Sequence, residues 1–285
     1  MPELPEVETV RRGLQPLAGL EVSDVKVLNP RSVREHAGGA KDFQRRLAGQ
    51  TLRHVSRRGK FLWLPTADDQ ALVTHLGMTG QALLLPADAP LHPHVRVVVG
   101  FHEVDFELRF TDQRMFGGML LDELVEWHGA ERVPQRAAHI ARDLLDPLLD
   151  LDSVVADIRS RSAGIKSVLL NQGIVSGFGN IYADEALWLA RLHYARPANS
   201  IGRAKVVELL EAGAEVMRKA IAAGGTSFDA LYVNVNGESG WFQVDLNAYG
   251  QEGEPCGRCG RPIVRESWSN RSSFRCPRCQ PVPRT

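Results

Sequence analysis

The chain has 285 residues, 44% of them hydrophobic, and its 34 Lys plus Arg balance 34 Asp plus Glu to a formal net charge of zero. That suits one large or two medium globular domains and excludes a protein coated in positive charge, although nucleic-acid binding depends on where charges lie. No apolar run reaches the length of a membrane span, and Met1-Pro-Glu-Leu-Pro-Glu6 lacks the basic and apolar regions of a signal peptide.

Residues 5–14 predict a short amphipathic helix. Pro5 suits the first helical position, acids occupy the first turn, Arg11-Arg12 precede Gly13, and Val7, Val10 and Leu14 recur at spacings of three and four. Pro5 also disfavours helix for Leu4, which predicts an extended Pro2-Glu3-Leu4 lead. From about 21 to 126, short β-rich runs at 22–27, 61–64, 82–85, 94–99 and 106–110 alternate with turns and predict a sandwich or barrel. Residues 131–136 read as an interdomain linker. Helical patterns then occupy 138–149, 152–160, 165–171, 181–190 and 202–223, with Gly224-Gly225 ending the last. The polar stretch 226–250, with Asn234, Asn236, Gly237 and Gly240, reads as a loop followed by a strand. The domain expectation is 1–132, 136–248 and 249–285.

Cys256, Cys259, Cys276 and Cys279 are the only cysteines, in two C-x-x-C pairs with 16 residues between them. Such knuckles place four thiolates tetrahedrally around Zn²⁺. The alternative is two cross-paired disulfides, since a C-x-x-C closed on itself is strained. Residues 263–265 and 273–275 predict two short strands between the knuckles. From Cys256 to the end there are seven Arg and one Glu, so this hairpin is a candidate phosphate binder. Reduced cysteines gathered in one metal site fit a cytosolic protein.

At the other terminus, a methionine before proline is commonly removed, leaving Pro2 as a free secondary amine. An α-amino group titrates near pH ~7.7–8.0, so a nucleophilic fraction exists at neutral pH. Such an amine attacking an aldehydic carbon forms an iminium ion with no N–H to lose, an electron sink. Glu3 and Glu6 lie within reach for acid–base work, or else merely complement the helix dipole. Farther along, Gly177-Phe178-Gly179 predicts a tight turn with Asn180 as N-cap of the next helix, and its N–H groups suit a phosphate.

The opening Met1-Pro-Glu-Leu-Pro-Glu-Val-Glu-Thr-Val-Arg-Arg-Gly-Leu14 resembles the start of the formamidopyrimidine-DNA glycosylases. The resemblance continues through Arg58-Gly-Lys60, His75-Leu-Gly-Met78-Thr-Gly80, Thr111-Asp112-x-Arg114-x-Phe116-Gly117, Gly177-Phe-Gly-Asn180-Ile-Tyr182 and the four cysteines. It implies an α+β multidomain fold: an N-terminal β-sandwich, a helical domain with a helix–two-turn–helix element, and a C-terminal zinc-finger β-hairpin. It implies a bifunctional enzyme that removes oxidised purines from damaged double-stranded DNA and cuts the strand by β- and δ-elimination. In this reading Pro2 resembles the nucleophile, Glu3 the acid that assists sugar opening, and Glu6 a proton-handling group. Lys60 resembles the lysine of β-elimination and Arg271 the arginine that grips phosphate and is linked to δ-elimination.

Met78, Arg114 and Phe116 resemble the residues that fill the gap left by an extruded base. His75, His94, Arg161, Lys166 and Asn180 match DNA-contact positions, Lys166 as a second phosphate ligand. Gln113 and Met115 depart from the family's usual proline and arginine, which predicts altered loop stiffness. Residues 226–242 correspond to the family's lesion-capping loop. The expected cofactor is one structural Zn²⁺, and the expected protein is a bacterial, cytoplasmic monomer. Two rivals remain at this stage: an endonuclease VIII-like glycosylase for oxidised pyrimidines, and a non-catalytic zinc-ribbon binder of damaged DNA.

Overall fold

The computed structural model describes residues 2–129, 131–225 and 246–283. They divide into two compact units: one built on residues 6–139, the other on 3–5, 140–223 and 246–283. The loop expected at 226–242 lies outside the described residues.

In the sheet unit, α1 (Leu4–Gly13) buries Val7 and Val10, with Leu14 buried directly after it, each at most 2% exposed, and the helix begins at Leu4 rather than leaving it extended as expected. Pro5 stands in the first turn, where a missing N–H leaves no intrahelical bond unmade. There follow β1 (Val22–Val27), α2 (Gly39–Leu47), β2 (Ser56–Arg58), β3 (Phe61–Pro65), β4 (Gln70–His75), β5 (Gly80–Pro86), β6 (Val95–Phe101), β7 (Phe106–Asp112), β8 (Gly118–Trp127) and β9 (Glu131–Pro134). The strands form two antiparallel sheets, ordered β1-β6-β7-β5 and β2-β3-β4-β8-β9. Val22, Val97, Val99, Leu108 and Phe110 of the first share one core with Leu62, Leu64, Leu72, Met119 and Leu121 of the second. That is the predicted sandwich.

Residues 131–136 are not a linker. Glu131–Pro134 is the edge strand β9, with Val133 opposite Val125 and Glu131 opposite Trp127. Val133 is fully buried with Trp63, Val73 and Leu120, and an edge strand tolerates Pro134.

The helical unit contains α3 (Leu151–Arg159), α4 (Ile165–Leu169), α5 (Asn180–Leu189), α6 (Arg203–Ala222), and the hairpin β10 (Val264–Trp268) with β11 (Arg271–Arg275). Asp150 caps α3 by accepting the Ser153 N–H at 3.1 Å. Val155, Ile158, Ile165, Leu169, Phe178, Tyr182 and Leu209 form the core.

The helix expected over 138–149 is absent. Asp143 Oδ1 accepts from Leu145 N and Asp146 Oδ1 from Leu148 N, so short acids divert the backbone into turns around Pro147. The zinc hairpin turns at Ser269 and Asn270, both with positive φ (45° and 58°), the two-residue geometry that suits strand twist.

Candidate active site and nucleic-acid interface

The two residues after Pro2 are fixed by the turn between α4 and α5. Glu3, 3% exposed, accepts three backbone N–H groups: Gly179 at 2.8 Å, Ile181 at 2.9 Å and Tyr182 at 3.2 Å. Leu4 N donates to Gly177 O at 3.1 Å, and its side chain is fully buried. Both glycines are required by this approach. A Cβ on Gly179 would stand 2.3 Å from Glu3 Cδ, and one on Gly177 (φ +95°) would stand 2.5 Å from Leu4 Cδ1.

This corrects two expectations. The N–H groups of the turn receive a carboxylate of the chain itself rather than a phosphate. Asn180 is the first residue of α5 and Gly179 its N-cap, so Glu3 supplies the cap from a distant part of the sequence.

Asn180 instead reaches the zinc hairpin, its Nδ2 donating to Ser272 O at 2.8 Å. Arg271 is exposed at the start of β11. Lys166 departs from expectation. Its side chain is fully buried, with Nζ 2.6 Å from Asp184 Oδ1 and 3.1 Å from Ser273 Oγ. Its ammonium is directed to acceptors inside the protein, against the hairpin residues Ser272 and Ser273. Arg161 is exposed and paired with Asp157, apart from this group.

In the sheet unit, buried Asp112 ties together the segments that carry Met78, His94, Arg114 and Phe116. Its Oδ1 accepts from Thr79 Oγ1 at 2.5 Å and from Arg114 N at 3.2 Å, and its Oδ2 from Gly117 N at 2.8 Å. Asp112 N donates to His94 O at 2.9 Å. Arg34 closes the other side of the loop, donating to Phe116 O and Gly117 O. Gly77 packs directly on this loop, since a Cβ there would lie 2.5 Å from Gly117 N. The braced loop holds Met78 and Phe116 outward, 39% and 45% exposed, with the Arg114 guanidinium 4.9 Å from the Phe116 ring centre. An apolar side chain left in solvent on so tightly held a loop suits an inserted wedge.

Lys60 is half-buried in the β2–β3 turn. Its hairpin is tied to α1 through Arg57, which donates to Glu8 Oε2 at 3.1 Å and to Gly59 O at 3.1 Å. Burial raises the Glu8 pKa, but hydrogen bonds from Arg11 and Arg12 and the charge of Arg57 prevail and hold it at about 2. Arg58, 3% exposed, lies over the Trp127 ring at 3.6 Å and pairs with Glu131. Arg57 and Arg58 of this basic run are therefore structural. His75 lines a cavity of about 320 Å³ with Phe61, Phe116 and His139. Burial pushes its pKa down, and the charges of Lys60 and Arg34 push the same way against Glu35. Glu6 is buried in α1 at 4% exposure.

The four cysteine sulfurs lie within 4.8 Å of one another, and none is in a disulfide. Sulfurs at the corners of a tetrahedron with Zn–S near 2.3 Å stand about 3.8 Å apart, so the group fits Zn²⁺. Arg258 docks the first knuckle on α5 by donating to Trp188 O and Leu189 O, carbonyls of the last helical turn.

Family models match three segments: the formamidopyrimidine-DNA glycosylase N-terminal domain over residues 1–119, the H2TH domain of the same enzyme over 140–231, and a zinc finger found in FPG and IleRS over 253–282. A formamidopyrimidine-DNA glycosylase of Streptomyces coelicolor is 53% identical over 287 residues, covering 100% of this chain and 99% of that protein. The chain belongs to the formamidopyrimidine-DNA glycosylase family. A glycosylase of that name from Nocardia farcinica is 54% identical over 294 residues, with 100% and 99% covered. Among solved structures, a variant Lactococcus lactis glycosylase in complex with Fapy-dG-containing DNA matches with TM-score 0.86 at 32% identity, covering 99% of this chain and all of that one. The Lactococcus glycosylase with abasic-site DNA matches with TM-score 0.84 at 32% identity, covering 98% and 100%.

Several residues of this glycosylase escaped the sequence reading. Glu185 accepts the N–H groups of Asn247, Ala248 and Tyr249 at 2.8–2.9 Å and so places Tyr249 beside Phe274, ring centres 5.0 Å apart. Burial pushes the Tyr249 hydroxyl up while a hydrogen bond from Asn180 opposes it, which puts Tyr249 beside Asn180. The available signal was the acidic pair Asp184-Glu185 inside an otherwise apolar helix. Asp112 and Glu8 showed only as motif members.

Proposed function

We propose that this glycosylase excises oxidised purines from duplex DNA and cleaves the strand at the resulting abasic site, with Pro2 as nucleophile. The observation that carries the reading is the anchoring of Glu3 and Leu4. Four hydrogen bonds fix the residues next to Pro2, and such fixed placement is what a terminal nucleophile needs to meet C1′ in register.

With Met1 removed, the Pro2 nitrogen attacks C1′ and the N-glycosidic bond breaks, the base leaving with the electron pair and taking a proton. Glu3 assists opening of the deoxyribose ring, and Glu6 handles a proton in the same steps. The iminium nitrogen carries no hydrogen, so its charge persists and acidifies C2′. Loss of a C2′ proton, with Lys60 in attendance, expels the 3′ phosphate. A second elimination, with Arg271 on the phosphate beside the lesion, expels the 5′ phosphate.

Extrusion of the base costs roughly a few kcal/mol, offset by Met78, Arg114 and Phe116 filling the vacated stack. His75, His94, Arg161 and Asn180 contact the DNA. Zn²⁺ is structural, since four thiolates leave no open position for water.

The test is base release from paired duplexes, one bearing 8-oxoguanine and one an oxidised pyrimidine. The purine duplex is expected to react at least about tenfold faster. Equal or reversed rates would place the chain with the pyrimidine-excising enzymes.

A further inference from the structure

Lys166 and Asp184 form a buried ion pair under the phosphate-gripping hairpin, with side-chain exposures of 0% and 1%. Every proton of the ammonium has an acceptor inside the protein: Asp184 Oδ1 at 2.6 Å, Ser273 Oγ at 3.1 Å and Ser272 O at 3.5 Å. Ser273 Oγ passes its own proton to Asp184 Oδ1 at 2.9 Å, and Asp184 Oδ2 accepts the Phe274 N–H at 2.9 Å. The segment 272–274 is thus held by two side chains from α4 and α5, and Arg271 is the residue immediately before it.

We propose that Asp184 and Lys166 are positioning residues that clamp Ser272–Phe274 so that Arg271 is presented to the DNA backbone, with the carboxylate cancelling the lysine charge toward the phosphates. The inference rests on the reading of Arg271 as a phosphate ligand. A charge neutralised at 2.6 Å by an interior carboxylate presents a short dipole to the DNA, and it displaces no counterion from the duplex. Burial pushes Asp184 up to about 6 and Lys166 down, each against the pull of its partner, so the pair is strongly desolvated. Such a pair contributes little net stability and much geometric definition, and removing one member leaves the other buried and unpaired.

The test measures binding of the full-length zinc-loaded protein to a duplex with an uncleavable tetrahydrofuran abasic analogue across a salt series. Zinc content and thermal melting serve as folding controls. The variants are Lys166→Met, the charge-neutral double variant Lys166→Met/Asp184→Asn, and Arg271→Ala. A phosphate ligand removed lowers the slope of log K against log salt by about 0.9. Arg271→Ala should show that drop.

Lys166→Met should keep the wild-type slope while binding more weakly by the same factor at every salt concentration, and on a separate duplex bearing a natural, cleavable abasic site its δ-elimination product should be reduced relative to the β product. The double variant removes the stranded carboxylate. It should keep the wild-type slope as well, and it carries the test if Lys166→Met fails to fold. A drop of about 0.9 in slope on losing Lys166, in either variant, would overturn the inference by making the lysine a direct ligand. Unchanged affinity and unchanged product ratio would overturn the clamp. An unchanged slope in Arg271→Ala would instead refute the reading of Arg271 on which the inference stands.

Discussion

Glu3 shows how one side chain joins two segments that are remote in sequence. Its carboxylate replaces the missing N-cap of α5, whose own cap residue, Gly179, offers no side chain. A methyl group on Gly179 must displace that carboxylate, because the hypothetical Cβ stands 2.3 Å from Glu3 Cδ. A misplacement near 1 Å is enough to cost about a hundredfold in rate. Gly179→Ala should therefore lose about that factor in base excision while retaining zinc, checked by single-turnover kinetics and metal analysis. Wild-type kinetics would detach the cradle from catalysis.

Glu8 gives a prediction in pH. Its folded pKa of about 2 lies below the ordinary 4.5, so its contribution is fully present above 4.5 and is lost as pH falls toward about 2. Glu8→Gln should melt about 3 °C lower than wild type near neutral pH. The gap should close as the pH falls through that window. A gap independent of pH would remove the charge from the explanation.

At the scale of elements, α5 organises the helical unit. Its N-terminus receives Glu3, Asn180 and Asp184 hold the hairpin, Glu185 holds Tyr249, and its C-terminal carbonyls take Arg258. The hairpin has a small core of Trp188, Ala248, Ile263 and Phe274 around Cys256 and Cys276, so the metal must supply much of its stability. Cys276→Ser should abolish bound zinc and weaken DNA binding strongly, while the sheet unit keeps its β circular-dichroism signal. Zinc retained at wild-type stoichiometry would contradict the assignment.

Elements with clean periodicity were legible in sequence: α1, the strands of the first sheet and the cysteine knuckles. β4 was not, because Ala71, Leu72, Val73 and Thr74 are all buried and show no alternation. The edge strand β9 was obscured by Pro134, and the expected helix over 138–149 by local competition from Asp143 and Asp146. Long-range polar partners left no periodic trace, so the burial of Lys166 and the capping by Glu3 emerge only in three dimensions.

At the scale of the molecule, a formal charge of zero hides a sorted distribution. Arg57, Arg58, Arg258 and Arg275 are drawn into structural contacts, while Arg114 and Arg271 remain exposed. Such sorting allows a neutral chain to bind a polyanion without a uniformly basic surface. On the proposed mechanism it also concentrates function in few residues, above all the terminal amine. The most direct measurement is borohydride reduction during reaction with an 8-oxoguanine duplex, followed by mass mapping of the cross-linked peptide. The account predicts a protein lacking Met1 with the sugar remnant on the Pro2 nitrogen. An adduct on Lys60 or any other side chain, or active protein that keeps Met1, would contradict it.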